Sequence, residues 1–276
     1  MGTKDITIAA CEASSPVGKL ETRILLMHAL GLSRIQLITQ SEQVLSAAQL
    51  QQLDSLIQRR FNGEPIAYII GEREFFGLSF EVSPDVLIPR ADTELLVELA
   101  LQHAPAGGSV LDMGTGSGAI AIAVAHSRPD LQVTALDVSP AALKIAERNA
   151  QRILSPARLS LLQSDWYAAL QGQQFDTVVS NPPYIVKDDH HLGEGDLRFE
   201  PMTALTDHGD GLSAYRTIIG GASHHLKQGG WLLLEHGYDQ AEAVRSLLAA
   251  HGYDQVQSWR DLAGIERVSG GILSAG

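Results

Sequence analysis

The run Val110-Leu111-Asp112-Met113-Gly114-Thr115-Gly116-Ser117-Gly118 passes from an apolar, strand-like segment through alternating glycines into a helix that starts at Gly118. Glycine lets the backbone turn tightly and lets a ligand come close where a side chain would collide. A strand, a glycine loop and a helix in that order open a parallel α/β sheet, whose ligands sit at the carboxyl ends of the strands near the switch in strand order. Upstream, Leu95, Leu96 and Leu99 lie on one helix. Downstream the pattern predicts strand Gln132–Val138, a helix over Pro140–Ala150, and strands Leu159–Gln163 and Phe175–Ser180. A helix over Leu212–His225, strand Trp231–Glu235, a helix from Asp239 and a strand pair around Val256 and Val268 complete the set. Such alternation implies right-handed crossovers and a mostly parallel sheet with helices on both faces.

Before residue 70 the signals are helical. Leu20, Ile24, Met27 and Leu30 recur at helical spacing with Gly31 as a stop, and Ser33 is placed to cap the next helix. Ser46 with Gln49 reads as a capping box ahead of Leu50, Leu53 and Ile57. Gly63 and Pro65 mark a stop and a new start. Phe76, Leu78, Phe80 and Val82 then alternate as a strand, with Val86-Leu87-Ile88-Pro89 as the expected hairpin partner. The expected organisation is a helical domain over 1–72, a hairpin linker over 73–90 and an α/β domain over 91–276.

Composition narrows the function. The chain has 276 residues, 45% of them hydrophobic, and a formal net charge of −12. Proteins that grip a phosphate backbone carry basic clusters, and the densest basic pair here is Arg59-Arg60, so no stable nucleic-acid binding is expected. Cys11 is the single cysteine, which rules out an intrachain disulfide and suits a cytoplasmic location. No apolar run reaches the roughly 20 residues of a membrane span, and the N-terminal residues lack signal-peptide character.

The loop reads G-x-G-x-G, whereas a dinucleotide fold uses G-x-G-x-x-G to hold a pyrophosphate. S-adenosylmethionine has no phosphate, and its amino-acid end can pack against Gly114, Thr115, Gly116, Ser117 and Gly118. Asp137 closes the second strand nineteen residues after Gly118, where a carboxylate can accept ribose hydroxyls. Loop and acid together still leave a nicotinamide cofactor open. Asp165-Trp166 follows the third strand, where Asp165 can accept from an adenine amine and Trp166 can pack near the ring.

Asn181-Pro182-Pro183-Tyr184 ends the fourth strand. An amide or exocyclic amine nitrogen is a poor nucleophile because its lone pair is delocalised. It becomes competent when acceptors hold both N–H groups and aim the remaining face at a methyl carbon. The Asn181 side-chain carbonyl and the Pro182 backbone carbonyl are the two acceptors. Pro182-Pro183 fixes these carbonyls because proline restricts itself and its predecessor, and Tyr184 can stack on a planar group. Transfer by this site works through positioning and electrostatic stabilisation. The expected acceptor is a planar amide-type nitrogen.

Gly114–Gly118 together with Asn181-Pro182-Pro183-Tyr184 resembles class I amino-methyltransferases, and the wider pattern is similar to the PrmC/HemK family of protein-(glutamine-N5) methyltransferases. The resemblance rests also on Phe75-Phe76-Gly77, Val86-Leu87-Ile88-Pro89-Arg90, Gln163-Ser164-Asp165-Trp166, Arg198-Phe199-Glu200-Pro201, Leu234-Glu235-His236-Gly237 and Arg260-Asp261-Leu262-Ala263-Gly264. It spans nearly everything after residue 70. Ala91 and Met113 depart from the usual residues at their positions, as packing changes.

The resemblance implies a Rossmann-like, seven-stranded methyltransferase sheet behind a small all-α domain. It also implies S-adenosyl-L-methionine as cofactor, S-adenosyl-L-homocysteine as product, and the glutamine in the Gly-Gly-Gln loop of class I peptide-chain release factors as acceptor. By the same similarity the glycine loop, Asp137, Trp166 and Asn181 touch the cofactor, and Asn181, Pro182, Pro183 and Tyr184 touch the glutamine. The main competing reading is an N6-adenine methyltransferase acting on DNA or RNA, whose acceptor offers the same two N–H groups. A silent binding module is the third, and intact Gly116 and Asn181 argue against it.

Three further features have readings of their own. Glu200 either orients the acceptor loop or pairs with Arg198. Asp188-Asp189-His190-His191 reads as a polar rim loop, with no metal site expected, and His224-His225 as solvated residues near a helix end.

Overall fold

The computed structural model describes residues 6–274. The extreme ends of the two expected domains, residues 1–5 and 275–276, lie outside them, as does most of the stretch read for targeting character. The chain divides into two compact units, Met1–Gly71 and Glu72–Gly276.

The first unit is helical: α1 Ile8–Ser14, α2 Lys19–Leu30, α3 Arg34–Thr39, α4 Ala47–Phe61 and α5 Ile66–Ile70. Ser33 and Ser46 each form a full capping box, with Gln36 and Gln49 as the reciprocal partners. Gly31 ends α2 in the left-handed region, its N–H reaching the Met27 carbonyl. Ile8, Leu25, Leu26, Leu37, Leu53 and Ile69 form the core, and Cys11 lies among them, its thiol pushed up by burial. The buried face of α2 differs from the expected one. Leu20 is 72% exposed, and Thr22, Leu25 and Leu26 point inward. The helix carries apolar residues on more than one side, so spacing alone does not select the packed face.

In the second unit the hairpin is β1 Glu72–Phe75 with β2 Leu78–Glu81, joined by Phe76 and Gly77 at φ 52° and 73°. Positive φ at both turn residues matches the twist of a two-residue hairpin. The side chain of Glu94 accepts the Phe76 N–H at 2.8 Å, which holds the bulky residue in that conformation. The expected pairing of this strand with Val86–Pro89 is therefore corrected. Val86 and Ile88 are buried, which produces the strand-like alternation, but the Val86 N–H bonds back to Ser83 and the Ile88 N–H to Glu200. Phe75 and Phe80 belong to the core of the second unit, so the hairpin is part of that unit.

The main sheet holds β3 Ser109–Met113, β4 Gln132–Asp137, β5 Leu159–Gln163, β6 Phe175–Ser180, β7 Leu226–Glu235, β8 Tyr253–Arg260 and β9 Glu266–Leu273. Their order is β5-β4-β3-β6-β7-β9-β8. Pairs up to β7 are parallel, and β9 pairs antiparallel with both β7 and β8. The helices are α6 Glu94–His103, α7 Ala119–Ser127, α8 Pro140–Ile153, α9 Met202–Leu205, α10 Ser213–Ala222 and α11 Ala241–Ala250. Side chains alternate across the sheet: Val110 and Leu233 pack with α6 and α7, while Leu111 and Leu232 pack with α10 and α11. This is the seven-stranded α/β class I methyltransferase fold.

Two differences bear on the site. The helix expected to reach His225 stops at Ala222; His224 is exposed as expected, while His225 is partly buried, stacked flat on Tyr167 at 4.7 Å. The short helix α9 and the 3-10 turns over Ala91–Thr93, His190–Gly193 and Leu197–Phe199 carry no periodic signal in the sequence, being too short for one.

Candidate active site

The chain runs outward from β3 to β4 and β5, then returns to β6 on the other side of β3, which makes β3/β6 the switch point. A cavity of about 310 Å³ opens there at the carboxyl ends of the strands, within the size range of small-molecule sites. Gly114, Gly116, Asp137, Asp165, Trp166, Asn181 and Pro183 line it. A smaller cavity of about 60 Å³ is lined by Arg90, Asn181, Tyr184, Ile185 and Leu197. Leu87, Asn181 and Ala204 belong to both walls, and Asn181 is the polar residue among these three.

The glycine loop has two sides. Gly114 and Gly116 have φ of 74° and 55°, and a Cβ on either would enter open space in which no atom lies within 4 Å. These two glycines form the cavity floor that side chains would fill. Thr115, Ser117 and Gly118 lie behind it. Thr115 donates to Asp112 Oδ2 at 2.6 Å, and the Ser117 carbonyl accepts from Asn149 at 2.9 Å. A Cβ on Gly118 would strike Ile122 at 2.8 Å and Ala146 at 3.2 Å, so this glycine permits α7 to pack on α8.

Asp137 fastens the loop. Its Oδ2 accepts the Gly116 N–H at 2.9 Å and its Oδ1 the Ser139 N–H at 2.8 Å, leaving lone pairs that face the cavity. Burial pushes its carboxyl up, against the pull of those N–H groups. Asp112, fully buried beneath the loop, is pushed by burial up to about 7, and its Oδ1 has no hydrogen-bond partner. The sequence offered no sign that this acid supports the loop.

Trp166 adopts a positive φ of 46°, with its carbonyl bonded by the Ser164 hydroxyl at 2.7 Å, which turns the chain along the cavity wall. Pro182 is buried between wall residues Asn181 and Pro183. Tyr184 lies half-buried against the smaller cavity, its backbone carbonyl accepting from the Gln240 side chain at 3.0 Å. Asn181 donates through Nδ2 to the Thr93 hydroxyl at 3.3 Å.

Glu200 is buried, and the arginine set on its carboxylate is Arg90, a partner the sequence did not suggest. Burial raises its carboxyl despite that guanidinium. Its Oε2 also accepts the Ile88 N–H, so Glu200 ties the Val86–Arg90 segment to the end of the 197–199 turn. Asp189, His190 and His191 come together on an exposed turn, where Asp189 caps the His191 N–H at 2.9 Å. The wall residues of Pro84–Leu87 and Pro201–Ala204 were not foreseen as site residues; the Val86–Arg90 and Arg198–Pro201 motifs overlap them, but neither motif indicates a place in the cavity wall.

Comparison with known proteins identifies the family. Residues 9–71 match the PrmC N-terminal domain, and residues 90–194 match the methyltransferase small domain. A release factor glutamine methyltransferase of Burkholderia pseudomallei is 57% identical over 97% of this chain and 96% of its own. That of Escherichia coli K12 is 48% identical over 90% of each. Among solved structures, a methyltransferase from Pyrococcus furiosus matches with a TM-score of 0.55 and 20% identity, covering 79% of this chain and 98% of that one. The chain belongs to the release factor glutamine methyltransferase family.

Proposed function

We propose that the larger cavity holds S-adenosyl-L-methionine, that the smaller one admits the glutamine side chain of the release factor's Gly-Gly-Gln loop, and that the methyl group passes to its N5 nitrogen where the two meet. The observation that carries this reading is that Asn181 lines both cavities. When bound, the cofactor supplies an electrophilic methyl group and leaves as S-adenosyl-L-homocysteine.

The chain's own residues do the rest. Gly114 and Gly116 leave room for the amino-acid end, Asp137 accepts ribose hydroxyls, and Asp165 and Trp166 receive the adenine. The Asn181 and Pro182 carbonyls accept the two amide N–H groups. Tyr184 and Pro183 confine the amide plane. The reaction needs no general base before transfer, because the proton becomes acidic only as positive charge builds on nitrogen, and it then leaves to water or a neighbouring group. The decisive test incubates labelled cofactor with release factor, its glutamine-to-alanine variant and adenine-containing nucleic acid, read by mass spectrometry. Label on the glutamine alone is expected. N6-methyladenine with unlabelled protein would transfer the assignment to the competing reading.

A folded acceptor whose loop enters a narrow site needs binding surface beyond that site. The helical unit serves this recognition, and a net charge of −12 suits a protein acceptor in the cytoplasm better than a nucleic acid. No helix among the described residues is long and apolar enough to cross a membrane. Ile35 and Ile38 stand 74% and 60% exposed one turn apart on α3. Replacing both with serine is expected to raise KM for intact release factor and leave KM for a short loop peptide unchanged, because remote binding energy is lost only with the folded acceptor. Equal effects on both acceptors would exclude this face.

A further inference from the structure

We propose that Glu235 and Thr93 form a hydrogen-bond relay behind the active site that fixes which end of the Asn181 amide faces the acceptor; this rests on the function proposed above. Glu235 closes β7 and Asn181 follows β6, and the strands pair Ser180 with Leu234, so the two residues emerge side by side. Thr93 ends the 3-10 turn ahead of α6 and sits beside both, buried like Glu235. The Asn181 Nδ2 donates to Thr93 Oγ1 at 3.3 Å, and Thr93 Oγ1 donates to Glu235 Oε1 at 3.1 Å.

The direction of this chain follows from counting protons. A side-chain amide has almost the same shape either way round, so its partners must choose between oxygen and nitrogen. An ionised carboxylate only accepts, and it therefore takes the single Thr93 hydroxyl proton. Thr93 oxygen is then left only as an acceptor, and it takes an N–H from Asn181. The Asn181 carbonyl is thereby turned away from Thr93 toward the cavities, where an acceptor N–H needs it. The carboxylate is poorly justified by packing. Its Oε2 is buried with no hydrogen bond of ordinary geometry, the Asn181 amide bearing on the carboxylate only weakly, and a desolvated charge with an unsatisfied oxygen costs stability. Its backbone is held independently, by the Tyr215 hydroxyl on the Glu235 carbonyl at 2.9 Å. What the acid contributes that an isosteric amide does not is polarity.

The test uses the full-length chain and compares Glu235→Gln, Thr93→Val and Thr93→Ser in steady-state methylation of release factor, with melting temperatures alongside. In Glu235→Gln the introduced amide would offer an N–H to Thr93, freeing the hydroxyl proton to bond the Asn181 carbonyl and invert the Asn181 side chain. The expected result for Glu235→Gln is a fall in kcat on the order of tenfold to a hundredfold, little change in KM, and a melting temperature unchanged or higher. Thr93→Val should lose rate similarly, and Thr93→Ser should recover most of it. Wild-type kcat in Glu235→Gln would overturn the relay. So would a loss of rate that tracks a loss of melting temperature, or Thr93→Ser as slow as Thr93→Val. If Glu235→Gln fails to fold, the valine–serine pair decides alone. Absence of glutamine methylation by the wild type in the same assay would count against the proposed function instead.

Discussion

Gly211 is the position where a single methyl group should disturb the acceptor side of the site from outside it. Its φ is 76°, and a Cβ there would lie 2.5 Å from the Tyr184 carbonyl oxygen and 2.8 Å from Gln240 Nε2. Alanine in the left-handed region costs about 1 kcal/mol or more. The same methyl displaces the Gln240 amide, which bonds the Tyr184 carbonyl at 3.0 Å and the Gly211 carbonyl at 3.2 Å. Two neutral hydrogen bonds are worth about 0.5–1.5 kcal/mol each, so Gly211→Ala should destabilise the protein by about 2–4 kcal/mol. To restore ordinary contact the Tyr184 backbone must retreat by roughly 0.9 Å, and misplacements near 1 Å can cost up to about a hundredfold in rate. The expected kcat for release factor therefore falls between tenfold and a hundredfold, roughly. Cofactor affinity by calorimetry should hold, because Gly211 is not in the wall of the larger cavity. Gly209→Ala is the matched control: its Cβ would meet nothing closer than Asp207 at 3.6 Å. Wild-type kcat in Gly211→Ala, or an equal loss in Gly209→Ala, would refute the argument.

The remaining predictions concern the cofactor wall and the buried acids. Asn181→Ala should raise the transfer barrier by about 2.7–4 kcal/mol, the usual value of a placed polar contact, while urea unfolding changes far less; unchanged turnover would remove Asn181 from the mechanism. Asp137→Asn puts an N–H against the N–H of Gly116 or Ser139, a loss of about 1.5–3 kcal/mol, so calorimetry should show cofactor binding weakened by about ten- to a hundredfold. Burial pushes Asp112 up to about 7 from its ordinary 3.8. The folded chain thus keeps a proton that the unfolded chain releases, and stability should fall as pH rises from about 4 to about 7. Asp112→Asn should flatten that slope in denaturation curves, and an unchanged slope would clear Asp112 of it. Glu235, pushed up to about 7 by burial with Arg267 and Asp92 facing it, has the same stability sign but the opposite effect on rate. In the relay kcat should rise as Glu235 ionises, and a pH–rate profile identical in Glu235→Gln would contradict this.

Elements whose cues are local were legible in the residues themselves. The capping boxes at Ser33 and Ser46, β3 with its glycine loop, and β6 leading into Asn181-Pro182-Pro183-Tyr184 depend on neighbours within a few positions, and dihedral preference or side-chain alternation writes them directly into the sequence. The glycine loop and the Asn181-Pro182-Pro183-Tyr184 segment, which contribute to the walls of the two cavities, were legible as local patterns for the same reason. What failed was anything chosen between distant segments. Val86 and Ile88 alternate like a strand, yet their N–H groups go to Ser83 and to Glu200, more than a hundred residues away in the second case. Leu20 has helical spacing but lies on the side of α2 that faces solvent. Glu200 found Arg90, and the division of the glycine loop into a floor of Gly114 and Gly116 over a support of Thr115, Ser117 and Gly118 appeared only with α7 and α8 in place. Asp112 and Glu235 are ordinary acids in the sequence and become unusual only when the sheet closes water away from them. Local backbone preference acts through a few bonds and can be read along the chain. Desolvation, carboxylate pairing and the direction of a hydrogen-bond relay depend on which remote groups arrive, and only the folded chain decides that.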